Sequence, residues 1–185
     1  MKLIRLTPDS PELATLSRIN EEAFPINERL NLLDIIKHES LIDRRFLGII
    51  NDEGKMCGFF MIILTDDCGY GAYFAIEASL RGHGIGTKAL KLLIEYCGKR
   101  QLIIDFEALD ENAPNNDQRK RRRNLYLRNG FFPTGYFRYY MDCEFEVFSS
   151  WKNYNQEAFM RLIDSTRCEV TDVEFLAPPY RKSSQ

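Results

Sequence analysis

The chain has 185 residues, 44% of them hydrophobic and 28% charged, and its 25 Lys and Arg against 27 Asp and Glu leave a formal net charge of −2. That length and apolar content suffice for one well-packed core and fall short of two ordinary domains, and the balanced charge offers no general attraction to nucleic acid or to an anionic membrane. No run approaches the roughly 20 apolar residues of a membrane-spanning helix, and Lys2 is followed by only a short apolar segment, unlike a secretory signal, so a cytoplasmic protein is expected.

In chain order, Leu3 to Leu6 reads as a first strand. Asp9 or Ser10 with Pro11 and Glu12 marks the start of a helix that runs to about Phe24, where Pro25 breaks it. Asn27 to His38 reads as a second helix with Leu30, Leu33, Ile35 and Ile36 on its apolar side. Phe46 to Ile50 and Cys57 to Leu64 form a hairpin pattern around Asn51 to Lys55, and a further turn at Thr65 to Gly69 leads into a strand at Tyr70 to Ile76. A glycine loop follows, then a helix over Ile85 to Cys97, a buried strand at Leu102 to Glu107, and a loop at Asp110 to Asp117 in which Asn116 or Asp117 can cap the next helix. That helix ends at Gly130; Phe132 to Met141 and Glu144 to Ser149 make a closing hairpin, Tyr154 to Ile163 a C-terminal helix, and Pro178 to Gln185 a frayed tail. A single domain over 1–185 is expected, its core at about 3–150 and the C-terminal helix and tail at 151–185.

Five cysteines, Cys57, Cys68, Cys97, Cys143 and Cys168, are an odd number without paired short spacing and read as reduced thiols. His38 and His83 are the only histidines, which argues against a zinc or Ser-His-Asp site, so no metal is expected.

The most informative stretch is the loop Arg81, Gly82, His83, Gly84, Ile85, Gly86, Thr87. Glycines on alternate positions let a ligand touch backbone N–H groups, and those groups open a helix whose start carries roughly half a positive charge, suited to phosphate or pyrophosphate. Arg81 adds a full charge, and His83 reads as a solvent-facing loop residue whose imidazole can act as a further donor. The alternative is a tight turn into a buried helix. A Walker loop fails, because Gly86 is followed by Thr87 and only then Lys88. Gly84, Gly86 and Ala89 fit a G-x-G-x-x-A dinucleotide fingerprint with Asp105 or Glu107 downstream, but Glu77 to Arg81 separate the apolar run from Gly82 and no serial βαβ pattern follows.

The basic run Arg119, Lys120, Arg121, Arg122, Arg123 is by pattern a solvated face or an interaction patch. On a helix at about 100° per residue, Arg119, Arg122, Arg123 and Tyr126 fall in one stripe while Arg121 and Arg128 point away.

RGHGIGT, preceded by the apolar FAI, resembles the Arg/Gln-x-x-Gly-x-Gly/Ala motif of the GNAT superfamily of acyl-CoA-dependent N-acyltransferases, and NLYLRNGFFPTGYF (124–137) resembles its Tyr-x-x-x-Gly-Phe element in matching order and spacing. The resemblance spans roughly residues 3–150. It implies an α/β (α+β) single-domain fold with a mixed, mostly antiparallel central sheet of about six to seven strands flanked by helices, splayed between the strands at 70–76 and 102–107. It also implies acetyl-CoA as co-substrate. Main-chain groups of Ala75 and Ile76 would pair with the pantetheine arm like an added strand, and amides of Arg81, Gly82, His83, Gly84, Ile85, Gly86 and Thr87 would hold the pyrophosphate. Arg119 and Arg122, where the family commonly has Asn and Ala, would reach the CoA phosphates. Tyr126 would be the general acid that protonates the departing thiolate, a role open to a phenol whose ordinary pKa is near 10; its alternative is a core aromatic.

For the base, the family position falls at about Tyr70, not an acid, and Glu22, Glu28, Asp67 and Glu107 stand open, each otherwise a surface or capping carboxylate. The acceptor side would draw on Phe24, Glu28, Arg29, Tyr136, Tyr139 and Tyr140, acid next to aromatic suiting a cationic small-molecule or peptide amine; the same surfaces are open to a homodimer contact. The function expected is N-acetyl transfer to an amine by direct attack in a ternary complex. The alternatives are a Rossmann-type oxidoreductase using Gly84, Gly86, Ala89 and Asp105, or a non-catalytic CoA-binding or nucleic-acid-binding module using 119–123.

Overall fold

The computed structural model describes residues 1–24, 26, 29, 31–37, 40–168 and 177–182. Expectations that fall on Pro25, Asn27, Glu28, Leu30, His38 and 183–185 lie outside the described residues. The chain divides into two units, Met1–Ile63 with Gly71–Gly98, and Leu64–Tyr70 with Lys99–Gln185.

In the first unit, β1 (Lys2–Leu6) pairs antiparallel with β2 (Asp43–Ile50), Lys2 opposite Ile50 and Leu6 opposite Phe46. β3 (Met56–Leu64) and β4 (Cys68–Ile76) follow in the order β1-β2-β3-β4. The hairpin between β2 and β3 is locked by Asn51, whose N–H donates to the Lys55 carbonyl at 2.8 Å and whose Oδ1 accepts the Lys55 N–H at 2.7 Å. β3 is buried along its whole length, which explains its unbroken apolar sequence. Leu16 and Ile19 of α1 (Leu13–Ala23) and Leu32 of α2 (Leu32–Lys37) close over Leu6, Phe46, Ile50, Phe59 and Ala75 to form the core of this unit. The first helix starts later than its cap signals suggest. The Ser10 hydroxyl accepts the Thr7 N–H at 2.8 Å and so shapes a turn, leaving Glu12 as an N-cap without a side-chain bond.

β3 and β4 approach closely at Gly58, where a Cβ would stand 2.3 Å from the Ala75 carbonyl oxygen and 2.8 Å from Ile76 Cδ1. Backbone cannot yield that distance without moving a strand. Gly58→Ala is therefore expected to destabilise by about 1–3 kcal/mol or more, read as a fall in the urea midpoint, whereas Gly54→Ala, with nothing within 4 Å, meets only the strain of its positive φ.

The second unit holds the first three residues of β4, then β5 (Gln101–Glu107), β6 (Phe132–Tyr140), β7 (Cys143–Ser149) and β8 (Tyr180–Arg181), with β5-β7-β6-β8 as neighbours. All three pairs are antiparallel: Phe106 opposite Glu146, Glu146 opposite Phe137, and Phe137 opposite Tyr180. One face of this sheet carries α4 (Asn116–Arg128) and the other α5 (Gln156–Ser165), whose N-cap Asn155 accepts the Ala158 N–H at 3.1 Å. Met141 and Asp142, at φ 52° and 53°, make the tight turn from β6 to β7. β8 corrects the frayed-tail reading at Tyr180 and Arg181, which pair with Phe137 and Tyr136. With it the described residues hold eight strands and five α-helices, an α/β fold with a mostly antiparallel sheet, where six to seven strands were expected. Among the described residues no helix is long and apolar enough to cross a membrane, and no group of three or more His, Cys, Asp or Glu is placed to hold a metal ion.

Candidate active site

The glycine loop belongs to the first unit. After β4 ends at Ile76, a short 3-10 turn at Ala78–Leu80 leads to Arg81, and α3 (Ile85–Cys97) begins three residues beyond Gly82. Gly82 and Gly84 have φ of 84° and 77°, the left-handed region that an L side chain enters at a cost of roughly 1–2 kcal/mol. Nothing lies within 4 Å of the Cβ either would carry, so backbone conformation rather than crowding requires glycine here. Gly84 is the N-cap of α3; no side chain caps the helix and no acid stands in its first turn. Residues Arg81 to Gly84 are exposed and Ile85 to Thr87 half-buried, so the helix start faces solvent. Arg81 Nε donates to the Ile76 carbonyl at 2.9 Å, which ties the loop back to the end of β4 and leaves that oxygen one lone pair. His83 is exposed.

Tyr126 and the basic run belong to the second unit. Tyr126 lies in the last turn of α4, 6% exposed, its ring stacked on Phe106 at 5.0 Å and edge-on to Phe131 at 5.7 Å. Burial pushes its phenol up to about 12, against the pull of the Arg122 charge, so it stays a proton donor throughout the neutral range. Arg119 donates to Glu107, to the Ala108 carbonyl and to Asn115 Oδ1 at 2.8–2.9 Å, and Arg122 pairs with the other Glu107 oxygen at 3.1 Å. Arg123 grips both oxygens of Glu146 at 2.8 and 3.2 Å and lies over the Phe148 ring. The stripe read from the sequence is present, but strand carboxylates brace it. Side-chain exposure separates its members: 11% for Arg119 against 41% for Arg122, which leaves Arg122 the more accessible cation. The cap of α4 is Asn115, not Asn116 or Asp117; its side chain bridges Glu107 and Arg119, and Asn116 Oδ1 accepts the Asp110 N–H.

Among the open carboxylates, Glu22 is paired with Arg18 at 2.8 Å and Asp67 with Arg161 and Thr65. The Arg161 guanidinium holds the Asp67 carboxyl below its ordinary value, which makes it a poorer base. Glu107 is gripped by two arginines and Asn115, and Glu28 lies outside the described residues. Of the acceptor-side residues, Arg29 is tied to the carbonyls of Phe24 and Glu21, Tyr140 is buried against Phe145 with rings 4.0 Å apart, and Tyr139 is 52% exposed.

A charged cluster in the second unit escaped the sequence reading. Arg138, with no exposed side-chain surface, donates to Asp105 Oδ2 at 2.8 Å and to the Tyr70 hydroxyl at 3.0 Å, and that hydroxyl donates to Asp105 Oδ1 at 2.8 Å. Tyr70, Tyr140 and Phe159 present their rings to the guanidinium at 4.9–5.7 Å. Burial, reinforced by Asp105, pushes the Tyr70 phenol far up. The signal was a charge set inside an apolar stretch of each of two strands, Asp105 between Ile104 and Phe106 and Arg138 between Phe137 and Tyr139. Of the two acids open to the dinucleotide reading, Asp105 is thereby committed to Arg138 and Glu107 to Arg119 and Arg122, so neither is free for a ribose hydroxyl.

Comparison with known proteins bears on these features. No curated protein matches the chain. Among solved structures, a GNAT-family protein from Bacteroides thetaiotaomicron is similar at TM-score 0.70 and 23% identity over 95% of this chain and 99% of its own. An aminoglycoside 6'-N-acetyltransferase complexed with coenzyme A reaches TM-score 0.58 at 14% identity, covering 84% of this chain and 100% of that one. A spermidine N-acetyltransferase mutant from Vibrio cholerae reaches 0.60 at 11% identity, over 80% and 94%. These likenesses establish the fold, and the sequence itself matches the Acetyltransferase (GNAT) family over residues 13–131, a span that holds both the glycine loop and Tyr126. The chain belongs to the GNAT acetyltransferase family.

Proposed function

We propose that the chain transfers an acetyl group from acetyl-CoA to a primary amine by direct attack in a ternary complex. The observation that carries this is the uncapped start of α3, presented to solvent by two left-handed glycines in a member of the GNAT family. Amides of Gly82 to Thr87 bind the pyrophosphate, where N–H donors and the helix dipole favour an anion. Arg81 holds the loop in shape through Ile76, and the main chain of Ala75 and Ile76 runs beside the pantetheine arm as a pairing strand. Arg122 is the phosphate contact of α4, with Arg119 supporting it through their shared Glu107.

In the chemical step the amine nitrogen attacks the acetyl carbon, the C–S bond breaks, and Tyr126 gives its proton to the departing sulfur. Glu22, Asp67 and Glu107 are all ion-paired, so the amine proton leaves through water and the rate rests largely on orientation of the two substrates. The aminoglycoside and spermidine enzymes of similar fold support an amine acceptor.

Thermal unfolding tests the cofactor. Acetyl-CoA at about 100 times its dissociation constant adds roughly 2.7 kcal/mol, and for a chain of this size each kcal/mol raises Tm by about 2–4 °C. NADPH is expected to leave Tm unchanged; a shift with NADPH alone would overturn the proposal. Gly84→Ala, forced into its left-handed conformation, is expected to lose about 1–2 kcal/mol of stability and to bind acetyl-CoA more weakly.

The pH profile follows from Tyr126. Because its pKa is raised to about 12, the donor is protonated at every pH below that, so kcat should not fall on the alkaline side up to pH about 10. A fall centred near 8 would place the essential acid elsewhere.

A further inference from the structure

The last described residues of the chain carry an ammonium group into a site with the chemistry of amine recognition. β8 pairs with β6, and because side chains alternate along a strand, Tyr180 and Lys182 share a face while Arg181 turns to the other side, over the Tyr136 ring at 4.7 Å. Tyr180 and Lys182 converge on one carboxylate: the Tyr180 hydroxyl donates to Glu144 Oε1 at 2.7 Å and Lys182 Nζ pairs with Glu144 Oε2. The same ammonium lies 4.3 Å from the centre of the Phe137 ring. A carboxylate oriented by a phenol, beside an aromatic face, is what a primary ammonium group binds.

Register places this site relative to the proposed acid. Tyr139 stands opposite Glu144, and Phe137 stands opposite Glu146, which in turn stands opposite Phe106. Phe106 carries the Tyr126 ring, and Arg123 of α4 grips Glu146. Directly opposed residues of antiparallel strands point to the same face, so Glu144 and Phe137 lie on the face of the sheet that α4 covers.

We propose that Glu144, Phe137 and Tyr180 form a recognition site for a primary ammonium group, and that Lys182 holds it as an internal competitor of the acceptor amine. The acceptor part of this rests on the amine-acetylating function proposed above; the binding part does not. Lys182 is 54% exposed and Glu144 27%, so the contact opens without unfolding the sheet. An exposed ion pair is worth about 0–1 kcal/mol, so the closed form is favoured at most roughly fivefold, and removing the competitor should tighten an incoming ammonium about two- to sixfold.

The test is an NMR titration with N-acetyl-lysine methylamide, whose side chain duplicates that of Lys182. Wild type is compared with Lys182→Gln, Glu144→Gln and Lys152→Gln, the last losing a charge of the same sign in the same unit, and near-ultraviolet circular dichroism checks each fold. Lys182→Gln is expected to lower Kd two- to sixfold, Glu144→Gln to raise it at least fivefold, and Lys152→Gln to leave it within error of wild type. Equal Kd in wild type and Lys182→Gln, an equal gain in Lys152→Gln, or undiminished binding in Glu144→Gln would each overturn the site. With acetyl-CoA added, KM for the amine should follow the same order at constant kcat. The same order of Kd without turnover in any variant would leave the ammonium site standing and remove the transfer reaction.

Discussion

Tyr126→Phe is expected to lower kcat for amine acetylation by roughly 10²- to 10⁴-fold, the range that one positioned proton donor supplies. The substitution isolates the hydroxyl. The ring packs on Phe106 at 5.0 Å and Phe131 at 5.7 Å, and phenylalanine keeps both contacts, so the unfolding midpoint and the Kd for acetyl-CoA should stay close to wild type. An effect on kcat with an unchanged KM marks an interaction made in the transition state, whereas loss of both together with a lower midpoint would mark a packing residue. A loss in kcat under threefold would return Tyr126 to the role of a core aromatic. The raised pKa bears on the state of the donor and not on its strength: a phenol pushed up to about 12 by burial carries its proton throughout the working range, while a thiol, ordinarily near 8.5, is the stronger acid of the two, so the transfer must be driven by the breaking of the C–S bond.

What the sequence discloses divides by range. The helix at Ile85–Cys97 and its glycine entry are local, written in periodicity and in two residues that must adopt positive φ, and the structure places that helix at the expected bounds. The hairpin at Asn51 to Lys55 is likewise legible, because one asparagine closes it. The state of the basic run is not local. Whether Arg119, Arg122 and Arg123 are free cations depends on Glu107 and Glu146, which reach them from strands at separations of 12 to 23 residues along the chain only once the sheet has formed. β8 has two residues and no alternation to read; its place comes from an aromatic partner on β6 and from Glu144 on β7. Likewise Asp105 carries the spacing of a ribose-binding acid, and only its burial against Arg138 shows that it is structural.

Breaking that pair should be the most damaging single change to stability in the second unit. Arg138→Met leaves the Asp105 carboxylate without its cation at a site where that side chain is 1% exposed, and removing one member of a buried ion pair typically costs about 3–5 kcal/mol. For a chain of this size the expected fall in Tm is about 6–20 °C. Asp105→Asn should cost a similar amount, since the guanidinium would then lose its counter-charge while keeping the Tyr70 hydroxyl, the Ala177 carbonyl and three aromatic rings. Tyr70→Phe removes one bond from each partner and leaves the ion pair, so about 1–3 kcal/mol is expected. The double variant Asp105→Asn with Arg138→Met decides between mechanisms. If the penalty is an uncompensated buried charge, the double variant recovers much of the loss, because neither charge remains. If instead Arg138 acts mainly as a large side chain filling space between Tyr140 and Phe159, the two losses add. The coupling energy from that cycle, measured by chemical denaturation, therefore separates a charge lock from a packing lock. A coupling below about 0.5 kcal/mol, the spread expected of independent sites, would assign the stability of this part of the sheet to its aromatic rings.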